Sequence, residues 1–186
     1  LSLSPRYIFF LHWSDYVPAD IYEEYECVVF HPSHLPYGRG GSPIQNLIAR
    51  GYTYTQVTAF RMVKELDAGP IYLTRTLSLD GKAQDIFERE MLLAAGMIWR
   101  IISDDIEPQP QRGEIVKFKR RSPQQSEISA WANMEELYDH IRMLDAETYP
   151  HAYIDKNTYR IEFSDAKLTE TGLIAKATFV EKKYGD

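Results

Sequence analysis

One segment, residues 31–45, carries most of the structural information in this chain: His31-Pro32-Ser33-His34-Leu35-Pro36-Tyr37-Gly38-Arg39-Gly40-Gly41-Ser42-Pro43-Ile44-Gln45. The apolar run Cys27 to Phe30 predicts a buried strand that leads into it. The glycines predict a loop over Gly38 to Gly41, and a helix then begins with Ser42 as its N-cap and Pro43 at its first position. We expect Gly51 to close that helix. This order of strand, glycine-rich loop and capped helix is typical of open α/β sheets.

Four further elements flank this segment. Tyr7 to Leu11 is a continuous apolar run, which predicts a buried strand of a parallel sheet. Ile21 to Tyr25 predicts a short helix. Val57 to Val63 and Ile71 to Leu79 predict two strands, and the residues Asp67-Ala68-Gly69-Pro70 predict a turn between them.

A long helix is predicted from Ala83 to Ser103, because apolar residues recur there at helical spacing. The residues of this apolar face are Ile86, Phe87, Leu92, Ala95, Ile98, Trp99 and Ile102. Pro108 and Pro110 interrupt the pattern beyond the helix.

The pattern changes after residue 112. We expect an α/β domain over 1–111, a linker over 112–132 and a small helix and β-hairpin subdomain over 133–186. Lys117-Phe118-Lys119-Arg120-Arg121 is expected to be a solvated part of the linker, although a local patch of this kind could contact a phosphate. Asn133-Met134-Glu135-Glu136 predicts a capped helix start. Tyr159 to Phe163 and Leu173 to Phe179 alternate as two strands of a hairpin.

The composition limits the classes to which the protein can belong. Its 186 residues suffice for one core with a small appendage, and no apolar run is long enough to cross a bilayer. A single cysteine, Cys27, excludes an internal disulfide framework and a cysteine metal site, so we expect a reducing, cytoplasmic setting and no metal. The net charge of −6 argues against a protein that holds polyanions over a broad surface.

His31 and Asp67 are the candidate catalytic residues. His31 lies at the carboxyl end of a predicted strand, and Asp67 lies in a turn bounded by glycine. A carboxylate near an imidazole can fix its tautomer and raise its basicity, which suits proton transfer near neutral pH. Each residue also has a purely structural interpretation, since an isolated histidine often has no catalytic role and Asp-Ala-Gly-Pro is a good turn. The glycine-rich string between them favours the catalytic interpretation, because it lets the backbone approach another group closely.

These residues resemble the methionyl-tRNA and sugar N-formyltransferase family. That family carries the pattern Asn-x-His-x-Ser-Leu-Leu-Pro, then Arg-Gly-Ala-x-Pro-Ile-Gln, and later a Leu-Asp-Thr/Ala-Gly turn. The matching residues here are His31, Ser33, Leu35, Pro36, Arg39, Gly40, Pro43, Ile44, Gln45, Leu66, Asp67 and Gly69. The resemblance covers most of the chain and implies a Rossmann-like, mainly parallel sheet with helices on both faces, followed by a small C-terminal helix and β-hairpin extension. Family members carry a further segment ahead of the first strand predicted here, so we expect the chain to lack the N-terminal part of the catalytic domain.

The resemblance implies formyl transfer from 10-formyltetrahydrofolate to a primary amine. His31 would stabilise the developing oxyanion or pass protons to the leaving nitrogen, and Asp67 would hold His31 and accept the proton of the amine. The loops His12 to Val17 and Val63 to Asp67 would form the two walls of the formyl-folate pocket. The implied cofactor-binding residues are His12, Trp13, Ser14, Tyr16 and Leu66. The implied substrate-binding residues are Ser33, Arg39, Gly40 and Gln45. Trp13 and Tyr16 offer flat faces for a pterin, and ordinary packed aromatic residues are an equal alternative.

One departure from the family pattern concerns the oxyanion. The asparagine two residues before the histidine is Val29 here. Alternate residues of a strand point to the same face, so a donor to the oxyanion is missing, which typically costs about a hundredfold to a thousandfold in rate. His12 and His34 are the nearest substitute donors by sequence.

Three functions remain open at the level of sequence. The first is N-formylation of an amino sugar, for which the acidic balance and the short C-terminal hairpin argue. The second is a methionyl-tRNA formyltransferase or a formyl-folate hydrolase. The third is a catalytically impaired protein that binds a ligand without turnover. We expect no membrane partner, and the apolar hairpin is a candidate homodimer element.

Overall fold

The computed structural model describes residues 4–130 and 133–182 of the chain. The strands are β1 Tyr7–Phe10, β2 Glu26–His31, β3 Tyr37–Gly40, β4 Tyr54–Arg61, β5 Ile71–Ser78, β6 Val116–Phe118, β7 Ala152–Asp155, β8 Tyr159–Thr169 and β9 Gly172–Glu181. The α-helices are α1 Ala19–Glu24, α2 Pro43–Ile48, α3 Ala83–Ser103 and α4 Met134–Arg142, and a 3₁₀ turn spans Pro123–Ser126. Within these described ranges, no helix is both long enough and apolar enough to span a membrane.

The chain divides into two compact units, of which the first comprises Leu1–Pro43, Tyr54–Ser78 and Glu88–Arg120. Its larger sheet has the strand order β1-β2-β4-β5. β1 and β2 are parallel, as the sequence predicts, with helix α1 in the connection between them. β2 pairs with β4 and β4 with β5 in antiparallel fashion. The antiparallel pairing of β4 and β5 follows from their short connection, because parallel neighbours need a crossover of a dozen residues or more.

A second, two-stranded sheet in this unit corrects the prediction for residues 38–41. We expected a loop there, but Tyr37–Gly40 is strand β3 and pairs in parallel with β6. The expectation of a solvated segment is also wrong at Phe118, which is 4% exposed on β6. Glycine-rich sequence does not predict a strand, and the pairing partner lies far along the chain. The predicted domain boundaries at 112 and 132 stay a prediction.

Helix α3 has the predicted bounds, but its predicted apolar face is wrong at four positions, because Leu92, Ala95, Trp99 and Ile102 are all exposed. Leu92, Trp99 and Ile102 are 76%, 70% and 52% exposed. The buried residues of the helix are instead Ala83, Ile86, Glu90, Ala94, Met97 and Ile101. The buried side of the helix includes an acidic residue and two alanines. The larger apolar side chains lie on the exposed side, and they therefore dominate the apolar pattern in the sequence.

The second unit comprises Ile44–Thr53, Leu79–Phe87 and Arg121–Asp186. Its antiparallel sheet has the order β7-β8-β9, so the predicted hairpin of β8 and β9 is confirmed and extended by β7, which the sequence analysis missed. The predicted cap of α4 is also confirmed, since Asn133 Oδ1 accepts a hydrogen bond of 2.8 Å from the Glu136 N–H. The α/β class predicted from the sequence is confirmed.

Two glycine substitutions should change stability in opposite directions. Gly40 has a φ of +107°, and a Cβ there would lie 2.3 Å from the Phe118 carbonyl oxygen. Gly96 is inside α3, and a Cβ there would meet nothing within 4 Å. We expect Gly40→Ala to destabilise the fold by more than about 1 kcal/mol. Gly96→Ala should stabilise it by about 0.5–1 kcal/mol.

Chemical denaturation of the two variants and the parent protein measures both effects. Equal changes for the two variants would contradict the close approach of β3 to β6 described above.

Candidate active site

His31 is the last residue of β2, and its ring is held by the backbone of β3. The side chain is buried, and His31 Nε2 lies 2.8 Å from the Gly38 carbonyl oxygen. Because a carbonyl oxygen only accepts hydrogen bonds, His31 Nε2 carries the proton in this contact. In the neutral ring the lone pair is therefore on Nδ1.

Asp67 lies in the turn between β4 and β5, and its carboxylate faces this lone pair. Asp67 Oδ2 accepts a hydrogen bond of 2.8 Å from the Gly40 N–H and lies 3.9 Å from His31 Nδ1. The second distance is too long for a direct hydrogen bond. The structure thus brings the two predicted catalytic residues together, while the Gly38 carbonyl, rather than Asp67, fixes the tautomer of the histidine. A group with N–H or O–H donors between Nδ1 and Oδ2 could donate to both.

Ser33, predicted to bind substrate, is fully buried beneath this pair. Its hydroxyl donates to the same Gly38 carbonyl oxygen at 3.3 Å. Its own carbonyl oxygen accepts a hydrogen bond of 2.6 Å from the hydroxyl of Thr58, the residue opposite His31 on β4. The structure therefore gives Ser33 a part in positioning β3 next to His31.

Arg39 and Gly40 are also predicted to bind substrate. Gly40 contacts Asp67 directly, whereas Arg39 contacts Gln111 and Glu65. Arg39 is 6% exposed, and its Nε and Nη2 atoms donate to Gln111 Oε1 at 3.2 and 2.8 Å. Its Nη1 atom lies 3.3 Å from the exposed carboxylate of Glu65. The Gly40 N–H donates its hydrogen bond to the Asp67 carboxylate. Gln111 was missed by the sequence analysis, because nothing local relates it to a turn more than forty residues earlier.

Gln45 belongs to the second unit. It is 2% exposed, and its side-chain amide donates to the Met143 carbonyl oxygen at 3.1 Å. This contact explains why a buried amide is tolerated at that position. Its predicted contact with substrate stays a prediction.

The two predicted walls of the cofactor pocket carry exposed apolar side chains. Trp13 is 55% exposed, Tyr16 is 80% exposed and Leu66 is 70% exposed. Trp13 makes an edge contact with Phe10, with ring centroids 5.8 Å apart. Ser14 is exposed on the same loop as the two aromatic residues. Exposed apolar side chains indicate a ligand-binding surface where they form one contiguous patch, and the predicted binding of the cofactor to these residues stays a prediction.

His12 begins that loop and contacts a buried acid that the sequence analysis missed. His12 Nε2 lies 3.2 Å from Oε2 of Glu90, whose side chain is 3% exposed. The hydrogen bond to Glu90 raises the pKa of His12 above its ordinary value of 6.5, although burial of the ring lowers it. No signal in the sequence marked Glu90, because the side of α3 that is buried differs from the apolar face that the sequence pattern predicts.

Val29 lies on the same face of β2 as His31, as the strand pattern predicts. It is half-buried, opposite Phe10 on β1 and Phe60 on β4. Of the two substitute donors considered from the sequence, His12 contacts Glu90 and His34 is exposed. Within the described residues, no group of three or more histidine, cysteine, aspartate or glutamate side chains could hold a metal ion.

Comparison with known proteins identifies the family. A methionyl-tRNA formyltransferase from Clostridium thermocellum is 45% identical, superposes on 96% of this chain with a TM-score of 0.92, and is covered over 79% of its own length. The chain belongs to the formyltransferase family. The family model described as Formyl transferase matches residues 2–86, and the one described as Methionyl-tRNA formyltransferase, C-terminal domain, matches residues 123–180. The formyltransferase fold predicted from the sequence is confirmed.

Two further relatives extend this comparison. The methionyl-tRNA formyltransferase of Bacillus cytotoxicus is 31% identical over 162 residues, which cover 82% of this chain and 51% of that protein. The chain therefore spans about half the length of the curated relatives it matches. The structure of HypX from Aquifex aeolicus in complex with tetrahydrofolic acid is 17% identical, with a TM-score of 0.72 over 89% of this chain and 30% of that one, and shares its fold.

The contact between His12 and Glu90 should make the stability of this protein depend on pH. Because the pKa of His12 is raised in the folded state, the stabilisation from this contact is complete below about pH 6.5. It is lost as the pH rises through the raised pKa. We expect Glu90→Gln to remove this part of the pH dependence, as measured by thermal unfolding between about pH 5.5 and 8.5.

Glu88→Gln is the matched control, because Glu88 is exposed two residues earlier on the same helix. It should retain the pH dependence of the parent protein. A Glu90→Gln variant with the same pH dependence as the parent would contradict the assignment.

Proposed function

We propose that the protein transfers a formyl group from 10-formyltetrahydrofolate to a primary amine. The observation that supports this most directly is the pair of facing acceptors, His31 Nδ1 and Asp67 Oδ2, which lie 3.9 Å apart. Backbone groups on β3 bind both residues. The Gly38 carbonyl oxygen binds His31 Nε2, and the Gly40 N–H donates to Asp67 Oδ2. Two fixed acceptors with room for one donor between them suit the deprotonation of an attacking amine.

The proton transfers follow from this arrangement. The formyl donor, 10-formyltetrahydrofolate, supplies a formyl carbon that the nitrogen of the amine can attack. As the new C–N bond forms, the amine loses a proton to His31 Nδ1, either directly or by way of Asp67. His31 protonated at Nδ1 then returns a proton to the folate nitrogen as its bond to the formyl carbon breaks. Atoms and charge balance without a metal or an oxidant.

The loops after β1 and β4 fit the folate part of the donor. Trp13 and Tyr16 present flat apolar faces to solvent on one loop, and Leu66 presents an aliphatic side chain on the other. Stacking on aromatic faces and burial of apolar area are the interactions that a pterin ring offers. These three residues, with His12 and Ser14, are therefore the proposed binding surface for the formyl donor.

Two molecules are candidate acceptors of the formyl group. The relatives at 45% and 31% identity are named methionyl-tRNA formyltransferases, which supports methionyl-tRNA. The net charge of −6 supports a small acceptor, such as the amino group of a nucleotide-linked sugar, because binding of a large polyanion favours a basic protein. The shared chemistry is a primary amine carried on a phosphate-bearing molecule, and assays with each acceptor separate the two.

Substitution of the catalytic pair tests the proposed reaction. The parent protein should consume 10-formyltetrahydrofolate and give a formylated amine with one of the two acceptors. His31→Ala and Asp67→Asn should each lower kcat by about a hundredfold or more, because each removes a proton acceptor. His151→Ala makes the same change as His31→Ala in the second unit and should retain parental kcat.

Three results would argue against the proposal. Unchanged turnover in folded His31→Ala would exclude the assigned role, release of formate without an acceptor would indicate a hydrolase, and folate binding without either reaction would indicate a binding protein. Isothermal titration with tetrahydrofolate, followed by product analysis, distinguishes these cases.

Val29 provides a test of the oxyanion environment. Val29→Asn places an amide donor on the face of β2 that carries His31. If a missing donor limits the rate, kcat should rise about tenfold or more. Val29→Thr has the shape of valine and a hydroxyl in place of one methyl group, and should give a smaller increase.

No increase in a folded Val29→Asn variant would show that another donor already occupies this role. The KM for the formyl donor should stay within about threefold of the parental value, because the new contact is made in the transition state.

A further inference from the structure

Gln111 connects the turn that carries Asp67 to the arginine of β3. Its Nε2 atom donates to the Asp67 carbonyl oxygen at 2.8 Å and to the Gly69 carbonyl oxygen at 2.9 Å. Its Oε1 atom accepts both bonds from Arg39. Both amide hydrogens and both oxygen lone pairs of this one side chain are therefore used within the site.

The turn around Asp67 has a conformation that needs support from outside. Asp67 has a φ of +52°, which is unfavourable for a residue with a side chain. A Cβ at Gly69 would lie 1.7 Å from the Arg61 carbonyl oxygen, so the turn folds tightly back on the end of β4. The two carbonyl groups that Gln111 binds flank Ala68 at the centre of this turn. The hydrogen bonds from Gln111 therefore restrain the turn backbone at Asp67 and at Gly69.

Gln111 is itself fixed by its neighbours along the chain. Two residues earlier, Gln109 exchanges both backbone hydrogen bonds with Ile71, at 2.7 and 2.8 Å, where β5 begins. Further on, the chain enters β6 and pairs with β3. The segment that carries Gln111 is therefore attached on one side to β5, which follows the turn, and on the other side to β3, whose Gly40 N–H binds Asp67.

We propose that Gln111 is a positioning residue for Asp67. By binding the carbonyl groups on either side of Ala68, its amide keeps the Asp67 carboxylate on the Gly40 N–H and facing His31 Nδ1. Arg39, buried and bound to the other end of the amide, orients Gln111 so that its NH₂ group points at the turn. The effect on turnover rests on the proposed formyltransferase function, whereas the effect on the Asp67–Gly40 bond does not.

Gln111→Glu is the sharpest test of this role. It preserves the shape of the side chain and its oxygen acceptor for Arg39, but replaces both donors to the turn with an acceptor that repels the two carbonyl groups. We expect kcat to fall about tenfold to a hundredfold, while the KM for the formyl donor changes less than about threefold. Gln109→Glu is the matched control, because its exposed side chain lies two residues away and its backbone bonds remain.

Amide hydrogen exchange gives a readout that does not require turnover. The Gly40 amide is protected by Asp67, and the Met62 amide, bonded to the Cys27 carbonyl oxygen in the same unit, reports general opening. In Gln111→Glu, exchange at Gly40 should accelerate about tenfold while exchange at Met62 is unchanged. Gln111→Met removes both donors without adding charge, and it should likewise accelerate exchange at Gly40 but not at Met62. This variant replaces Gln111→Glu in the test if the glutamate variant unfolds.

The outcomes separate the two proposals. If exchange in the Gln111 variants is faster at Gly40 alone, the positioning role is supported. If the parent protein also fails to transfer formyl groups, the proposed function is refuted while the positioning role stands. Parental kcat in Gln111→Met together with parental exchange at Gly40 would overturn the positioning role. Equal acceleration at Gly40 and Met62 would also overturn it, because Gln111 would then only stabilise the unit.

Discussion

The hydrogen bond from the Gly40 N–H to Asp67 Oδ2 is the contact on which the candidate site depends. It joins a turn of the large sheet to a strand of the small one, and it directs the carboxylate towards His31. Gly40 lies where β3 approaches β6 so closely that a Cβ at this position would lie 2.3 Å from the Phe118 carbonyl oxygen. The glycine-rich segment therefore serves close backbone packing, and the same packing delivers the Gly38 carbonyl to the His31 ring.

This arrangement divides the work between side chains and backbone. His31 and Asp67 supply the titratable atoms, and backbone groups of β3 fix the tautomer of one and the orientation of the other. Ser33 and Arg39, which match the family pattern, are buried and contact other parts of the same structure. Under the proposed function, a motif residue of this kind contributes by holding His31 and Asp67 in place, and its predicted contact with substrate stays a prediction.

Helix α3 illustrates how far a periodic pattern can be trusted. Its bounds followed from spacing alone, because every turn of a long helix repeats the same signal. Its buried face did not follow, because hydrophobicity identifies apolar residues and not the neighbours against which they pack. Trp99 and Leu92 are exposed, while Glu90 is buried against His12. An acid buried in this way is retained where a cationic partner can approach it, and that partner comes from a loop far along the chain.

Local patterns alone were enough for the class of fold, most helices and strands, the pairing of β8 with β9, and the expectation that His31 and Asp67 come together. These features depend on neighbours within a few residues or on a motif that is continuous in sequence. The strand character of residues 37–40, the tautomer of His31 and the contacts of Gln111 and Glu90 were decided only by the folded chain. Each depends on a hydrogen bond or a close contact between segments that are distant in sequence, and such partners carry no local signal because either residue alone would be equally acceptable in solvent.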